Sequence, residues 1–129
     1  MIYIAGKIGG LPYEVAETKF AITELELRSM GVKTINPMEQ GLKKLKYEEQ
    51  MEQCFKLIRL HAHGIFLQRD WKDSDGARRE FELVTELNSK HNRRILIYFE
   101  EMDGFSDIRR DIQDGVLKCL YFNYYLKPY

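Results

Sequence analysis

Hydrophobic positions change their period several times along the chain, and each change marks an element. The run MIYIAG at 1–6 is apolar, β-branched and aromatic and closes on Gly6, the pattern of a short buried strand. Between Leu11 and Met30 the period changes: Ala16, Phe20, Thr23, Leu27 and Met30 recur at spacings of four and three, which predicts an amphipathic helix stopped by Gly31. VKTINP at 32–37 reads as a second short strand ended by Pro37, and MEQGLKKLK at 38–46 as a polar, exposed loop. Tyr47, Met51, Cys54 and Ile58 repeat the four-three spacing of a helix, and HGIFLQ at 63–68 is a third apolar strand. A third helix is expected from Ser74 or Asp75 to about Lys90, followed by polar HNRR and a fourth strand, ILIYF, at 95–99. Phe105, Ile108, Ile112, Val116 and Cys119 lie at helical spacing and predict a final helix. The aromatic tail, 119–129, is either a fifth strand or a docked terminus, with Tyr121, Tyr124 and Tyr125 in packing or a subunit contact.

The order βαβαβαβ implies a parallel sheet, because each helix must carry the chain back across a sheet face, and crossovers of one hand then place helices on both faces. The expected fold is a doubly wound α/β sandwich of about four to five strands. At 129 residues, 44% hydrophobic and 31% charged, the chain reads as a single domain, 1–129. Twenty basic residues balance twenty acidic ones, so no global field recruits a nucleic-acid polymer or an anionic membrane, and a charged ligand must be held locally. The two cysteines, Cys54 and Cys119, form neither a CxxC pair nor a disulfide framework, and no apolar signal segment opens the chain, which suggests a reduced, cytoplasmic protein. No apolar run approaches the roughly 18 to 20 residues that span a bilayer.

In such a sheet ligands bind beyond the carboxyl ends of the strands, so the segments AGKIGG, NPMEQG and RDWKDSDGARRE carry the candidate chemistry. The first places Gly6, Gly9 and Gly10 around Lys7, a turn that permits close backbone approach and offers one cation, although it matches neither the dinucleotide nor the phosphate-loop pattern. In the third, Glu80, Leu83, Val84 and Leu87 fall at i, i+3, i+4 and i+7, so a carboxyl group projects from the apolar face of the helix near the ligand end of the sheet. A carboxylate there is costly unless offset, which makes Glu80 a candidate for catalysis. It can equally reach back to an uncapped N–H or pair with Arg78, Arg79 or Lys7. Trp71, beside Asp70, is placed either to stack on a base or to cover the sheet end, and Tyr13 and Asn36 are edge residues suited to turns or to contact. His61, His63 and Cys54 lack a third ligand at a convincing spacing, so neither a metal nor another cofactor is expected.

MIYIAGKIGGLPYE, INP and DWKDSDGARREFEL, in this order and spacing, together resemble the nucleoside 2-deoxyribosyltransferase-like family, particularly its short bacterial and phage branch, over Met1 to about Phe99. The resemblance implies a flavodoxin-like fold, a homo-oligomer, no cofactor, and cleavage of the N-glycosidic bond of a nucleoside or nucleoside 5′-monophosphate with transfer to a base or to water. It implies Glu80, four residues after Gly76, as the nucleophile at C1′ of the sugar. It also implies Tyr3 and Gly6 in the sugar pocket, and Ser74, where relatives hydrolysing 5′-monophosphates carry serine, with Lys7 as phosphate or sugar contacts, while Gly6, Gly9 and Gly76 allow the substrate close to the backbone. Two positions depart from the family pattern: Cys54 stands where an acid assists the leaving base, and His63 replaces a second acid. Those losses suit a slow enzyme or a nucleotide-binding module that has kept the fold and the pocket.

Overall fold

The computed structural model describes residues 1–117. They form a four-stranded, all-parallel sheet of β1 (Ile2–Ala5), β2 (Thr34–Ile35), β3 (Gly64–Leu67) and β4 (Leu96–Phe99), in the order β2-β1-β3-β4. The helices are α1 (Tyr13–Ser29), α2 (Tyr47–His61), α3 (Asp75–Lys90) and α4 (Gly104–Gln113). This is the doubly wound arrangement expected from the alternation of periods, and it agrees with the flavodoxin-like fold that the resemblance implies. The step from β1 to β2 runs in one direction along the sheet, and the steps from β2 to β3 and β3 to β4 run in the other. Crossovers of one hand therefore put α1 on one face and α2 and α3 on the opposite face.

Each strand side chain serves one of two cores, as a period of two requires. Tyr3, Ala5, Ile65 and Leu67 join Cys54 and Ile58 of α2 and Ala77, Val84 and Leu87 of α3. Ile2, Ile4, Phe66 and Tyr98 join Phe20 and Leu27 of α1 and Ile108 of α4. Tyr98 also donates to Asp111 Oδ2 at 2.8 Å, tying β4 to α4.

Two elements end earlier than their apolar patterns suggest. The β2 strand keeps only two residues, because Asn36 Oδ1 accepts the Met38 N–H at 2.9 Å and starts a 3-10 turn over Pro37–Glu39. A second 3-10 turn, Leu42–Lys44, follows Gly41 at φ 67°, so the polar connection expected at 38–46 is a folded strap. Helix α4 was expected to reach Cys119 and stops at Gln113. Gly115, at φ 75°, turns the chain so that the N–H groups of Val116 and Leu117 both return to the Asp111 carbonyl, at 2.8 and 3.1 Å. Val116 is consequently exposed while Leu117 is buried. Cys119 and the aromatic tail, with the fifth strand or docked terminus expected there, lie outside the described residues. Among the described residues no helix is long and apolar enough to cross a membrane.

Candidate active site

A cavity of about 630 Å³ opens at the carboxyl end of β1, where the chain's direction along the sheet reverses. Tyr3 of β1 and Gly6, Ile8 and Gly9 of the following loop line one side. Pro37, Met38, Leu42 and Lys43 of the strap cover it, and Tyr47, Gln50, Met51 and Cys54 of α2 form a wall. The start of α3 completes the ring with Asp73, Ser74, Asp75, Gly76, Ala77 and Glu80.

Glu80 is the buried acid of this cavity, 6% exposed. None of the alternative partners reaches it. Ser74 caps α3, its Oγ accepting the Ala77 N–H at 3.1 Å, and Glu80 turns instead to Tyr3. Arg79 forks onto Glu48 at 3.0 and 3.1 Å, and Arg78 donates to the Lys72 carbonyl at 2.5 Å. The Tyr3 hydroxyl donates to Glu80 Oε2, and the Cys54 thiol lies against the same two groups. Burial without a cation raises the Glu80 carboxyl to about 8, with the Tyr3 hydrogen bond pulling the other way. Burial, with Glu80 close by, pushes the Cys54 thiol up to about 12 and the Tyr3 phenol well above its usual range. The floor of the cavity therefore holds three adjacent protonatable groups, each with its charged form disfavoured by burial.

Six of the residues singled out in the sequence come together here: Tyr3, Gly6, Gly9, Ser74, Gly76 and Glu80. Gly6 and Gly76 have steric reasons to be glycine. A β-carbon on Gly6 would sit 2.0 Å from Gln68 Oε1, and one on Gly76 would sit 3.2 Å from Met51 Sδ. Three others stand outside the lining. The Lys7 N–H donates to Asp70 Oδ1 at 3.1 Å, while Lys19 Nζ bridges Asp70 Oδ2 and the Lys7 carbonyl, both at 2.8 Å. Lys7 and Asp70 thus clamp the first loop to α1. Trp71 covers the sheet end, with ring centroids 5.0 Å from Phe81 and 5.7 Å from Phe99, and its bulk is spent on that core. His63 sits at the opposite end of the sheet beside the N-terminal amine, whose charge lowers its pKa.

Sequence reasoning passed over Tyr47, Gln50, Met51 and Asp73 as site residues. The signal was present in part, since Tyr47, Met51 and Cys54 share one face of α2, but a repeating face reads first as core. That face enters the core at Cys54 and Ile58, and its first turns border the cavity. Among the described residues no three His, Cys, Asp or Glu side chains converge as a metal would require.

Fold and site together define an α/β protein with a buried acid facing a ligand-sized cavity at the reversal point of a parallel sheet. The family described as Domain of unknown function (DUF4406) matches residues 1–91, more than half of the chain, and the protein belongs to it. That stretch ends just past α3, so it contains every residue of the cavity wall. No curated protein and no solved structure matches the chain.

Proposed function

We propose that the protein breaks the N-glycosidic bond of a nucleoside or nucleoside 5′-monophosphate, with Glu80 as nucleophile. The observation that carries this reading is a lone buried carboxyl group whose partners are Tyr3 and Cys54, at the floor of a cavity of about 630 Å³. Ionised, Glu80 attacks C1′; the bond from C1′ to its oxygen forms as the bond to the base nitrogen breaks. The base leaves with the bonding electron pair and takes up a proton. Water or a second base then opens the glycosyl ester and restores the carboxylate. Tyr3 holds Glu80 in line, and the glycines at 6 and 9 allow the sugar close to the backbone. No cofactor enters these steps.

Cys54 favours a second reading, a nucleotide-binding module with weak or no turnover. A thiol held up at about 12 gives the leaving base no acid matched to neutral pH. The two readings separate in one experiment. Purified protein is incubated with ribo- and deoxynucleosides and their 5′-monophosphates, and free base is measured by chromatography beside Glu80→Gln. The expected result is base release that falls about a thousandfold or more in the variant. Binding without release from any substrate would hand the site to the second reading.

A further inference from the structure

We infer that the cavity takes an uncharged nucleoside in preference to its 5′-monophosphate. This inference rests on the glycosidic reading of the site and narrows its substrate class. A phosphate monoester carries roughly −1.5 to −2 charges at neutral pH and binds where cations and free donors are arranged to meet it. Among the described residues the wall contains one cation, Lys43, and its Nζ rests 4.1 Å from the centroid of the Tyr13 ring.

The other cations near the mouth are committed: Arg79 to Glu48 at 3.0 Å, and Lys19 to Asp70 at 2.8 Å. Lys7 stands outside the wall, its Cε 3.7 Å from where a β-carbon of Gly10 would lie. The start of α3 is partly occupied as well. The Ala77 N–H is taken up by Ser74 Oγ, which leaves the hydroxyl's own proton to donate, and Asp75 stands in the first turn at the positive end of the helix.

Two carboxylates, Asp73 and Asp75, stand in the wall beside its single cation. Asp75 Oδ2 accepts the Tyr47 hydroxyl at 2.6 Å, bridging α2 and α3 above the cavity, and its Oδ1 pairs with Arg78 at 3.7 Å. Asp73 has no side-chain partner among the described residues and is free to accept from a sugar hydroxyl. A phosphate in the cavity would lie within about one Debye length, roughly 8 to 10 Å, of both, where repulsion is only partly screened. The remaining wall is apolar, with Ile8, Pro37, Met38, Leu42 and Met51 offering a surface for a base.

Calorimetric titration of matched pairs, each nucleoside against its own 5′-monophosphate, tests the inference, with base release followed in parallel. Within a pair the nucleoside is expected to bind about tenfold more tightly, with the gap shrinking as salt rises. The double variant Asp73→Asn/Asp75→Asn is expected to close most of the gap. Should that variant fold poorly, the salt dependence of the native protein carries the same information. Equal or tighter monophosphate binding overturns the inference and leaves the glycosidase reading in place. Preferential nucleoside binding without base release upholds the substrate class while removing the chemistry. Failure of every nucleoside and monophosphate to bind removes both.

Discussion

Glu80 shows how one side chain acquires chemistry from its neighbours. A carboxyl group taken out of water and given a phenol in place of a cation holds its proton to about 8. The sign of the consequence follows from linkage. Its ordinary value is 4.5, so between 4.5 and about 8 the folded protein keeps a proton that the unfolded chain releases. Stability contributed by the neutral acid is complete below that window and is lost as pH rises through it, by about 1.4 kcal/mol per unit. Thermal melts of the native protein and Glu80→Gln are expected to diverge from pH 5 to pH 8, the variant becoming the more stable. Parallel melting curves would show that Glu80 is solvated. Catalysis should move in the opposite sense, because only the ionised form attacks, so kcat/KM for base release should climb with pH, reach half its maximum near 8 and level off above it.

At the scale of elements, the site depends on backbones approaching where a side chain would intervene. The end of β1 passes directly over Gln68 at the end of β3. Gln68 is buried, donates to Thr23 Oγ1 at 2.9 Å, and presses its Oε1, which has no hydrogen-bond partner among the described residues, against Gly6. Gly6→Ala must push Oε1 from a β-carbon only 2.0 Å away, disturbing a buried amide and the β1 loop together. The expected cost is about 3 kcal/mol, measured by denaturant unfolding. Adding Gln68→Ala should recover part of that loss, giving a strongly non-additive pair. Full additivity would mean that the two residues do not meet. The glycine itself was legible in the sequence as a closing residue of the first strand. Its partner was not, because Gln68 lies 62 positions further on and only the parallel pairing of β1 with β3 makes them neighbours.

For the whole molecule, the sheet order brings the loop after β1, the strap after β2 and the start of α3 to one rim, leaving a cavity wide at the mouth. The family resemblance implies a homo-oligomer, and we propose that a neighbouring subunit helps to close that rim. Val15, Ile22 and Leu25 on the outer face of α1 are 51%, 63% and 69% exposed, which supplies apolar surface for such an association. Sedimentation velocity at micromolar concentration is expected to return a mass at least twice that of one chain. A monomer that still releases base would remove the shared-site part of the proposal alone.

The elements were legible because each is written in local periodicity: four-three spacing for the helices and apolar runs closed by Gly or Pro for the strands. The alternation of the two periods was enough for the parallel, doubly wound sheet, since a crossover helix has few places to go. The placement of Glu80 was legible for the same reason, because helix geometry alone assigns it a face. Its surroundings were decided by tertiary structure. Whether Glu80 met Arg78, Arg79 or a phenol depended on which side chains Glu48, Lys72 and Tyr3 claimed. Likewise Trp71 and Asp70, adjacent in sequence to the site, were drawn to a core and to a clamp by Phe81, Phe99 and Lys19. Periodicity is a property of neighbours along the chain, whereas charge pairing and burial depend on neighbours in space.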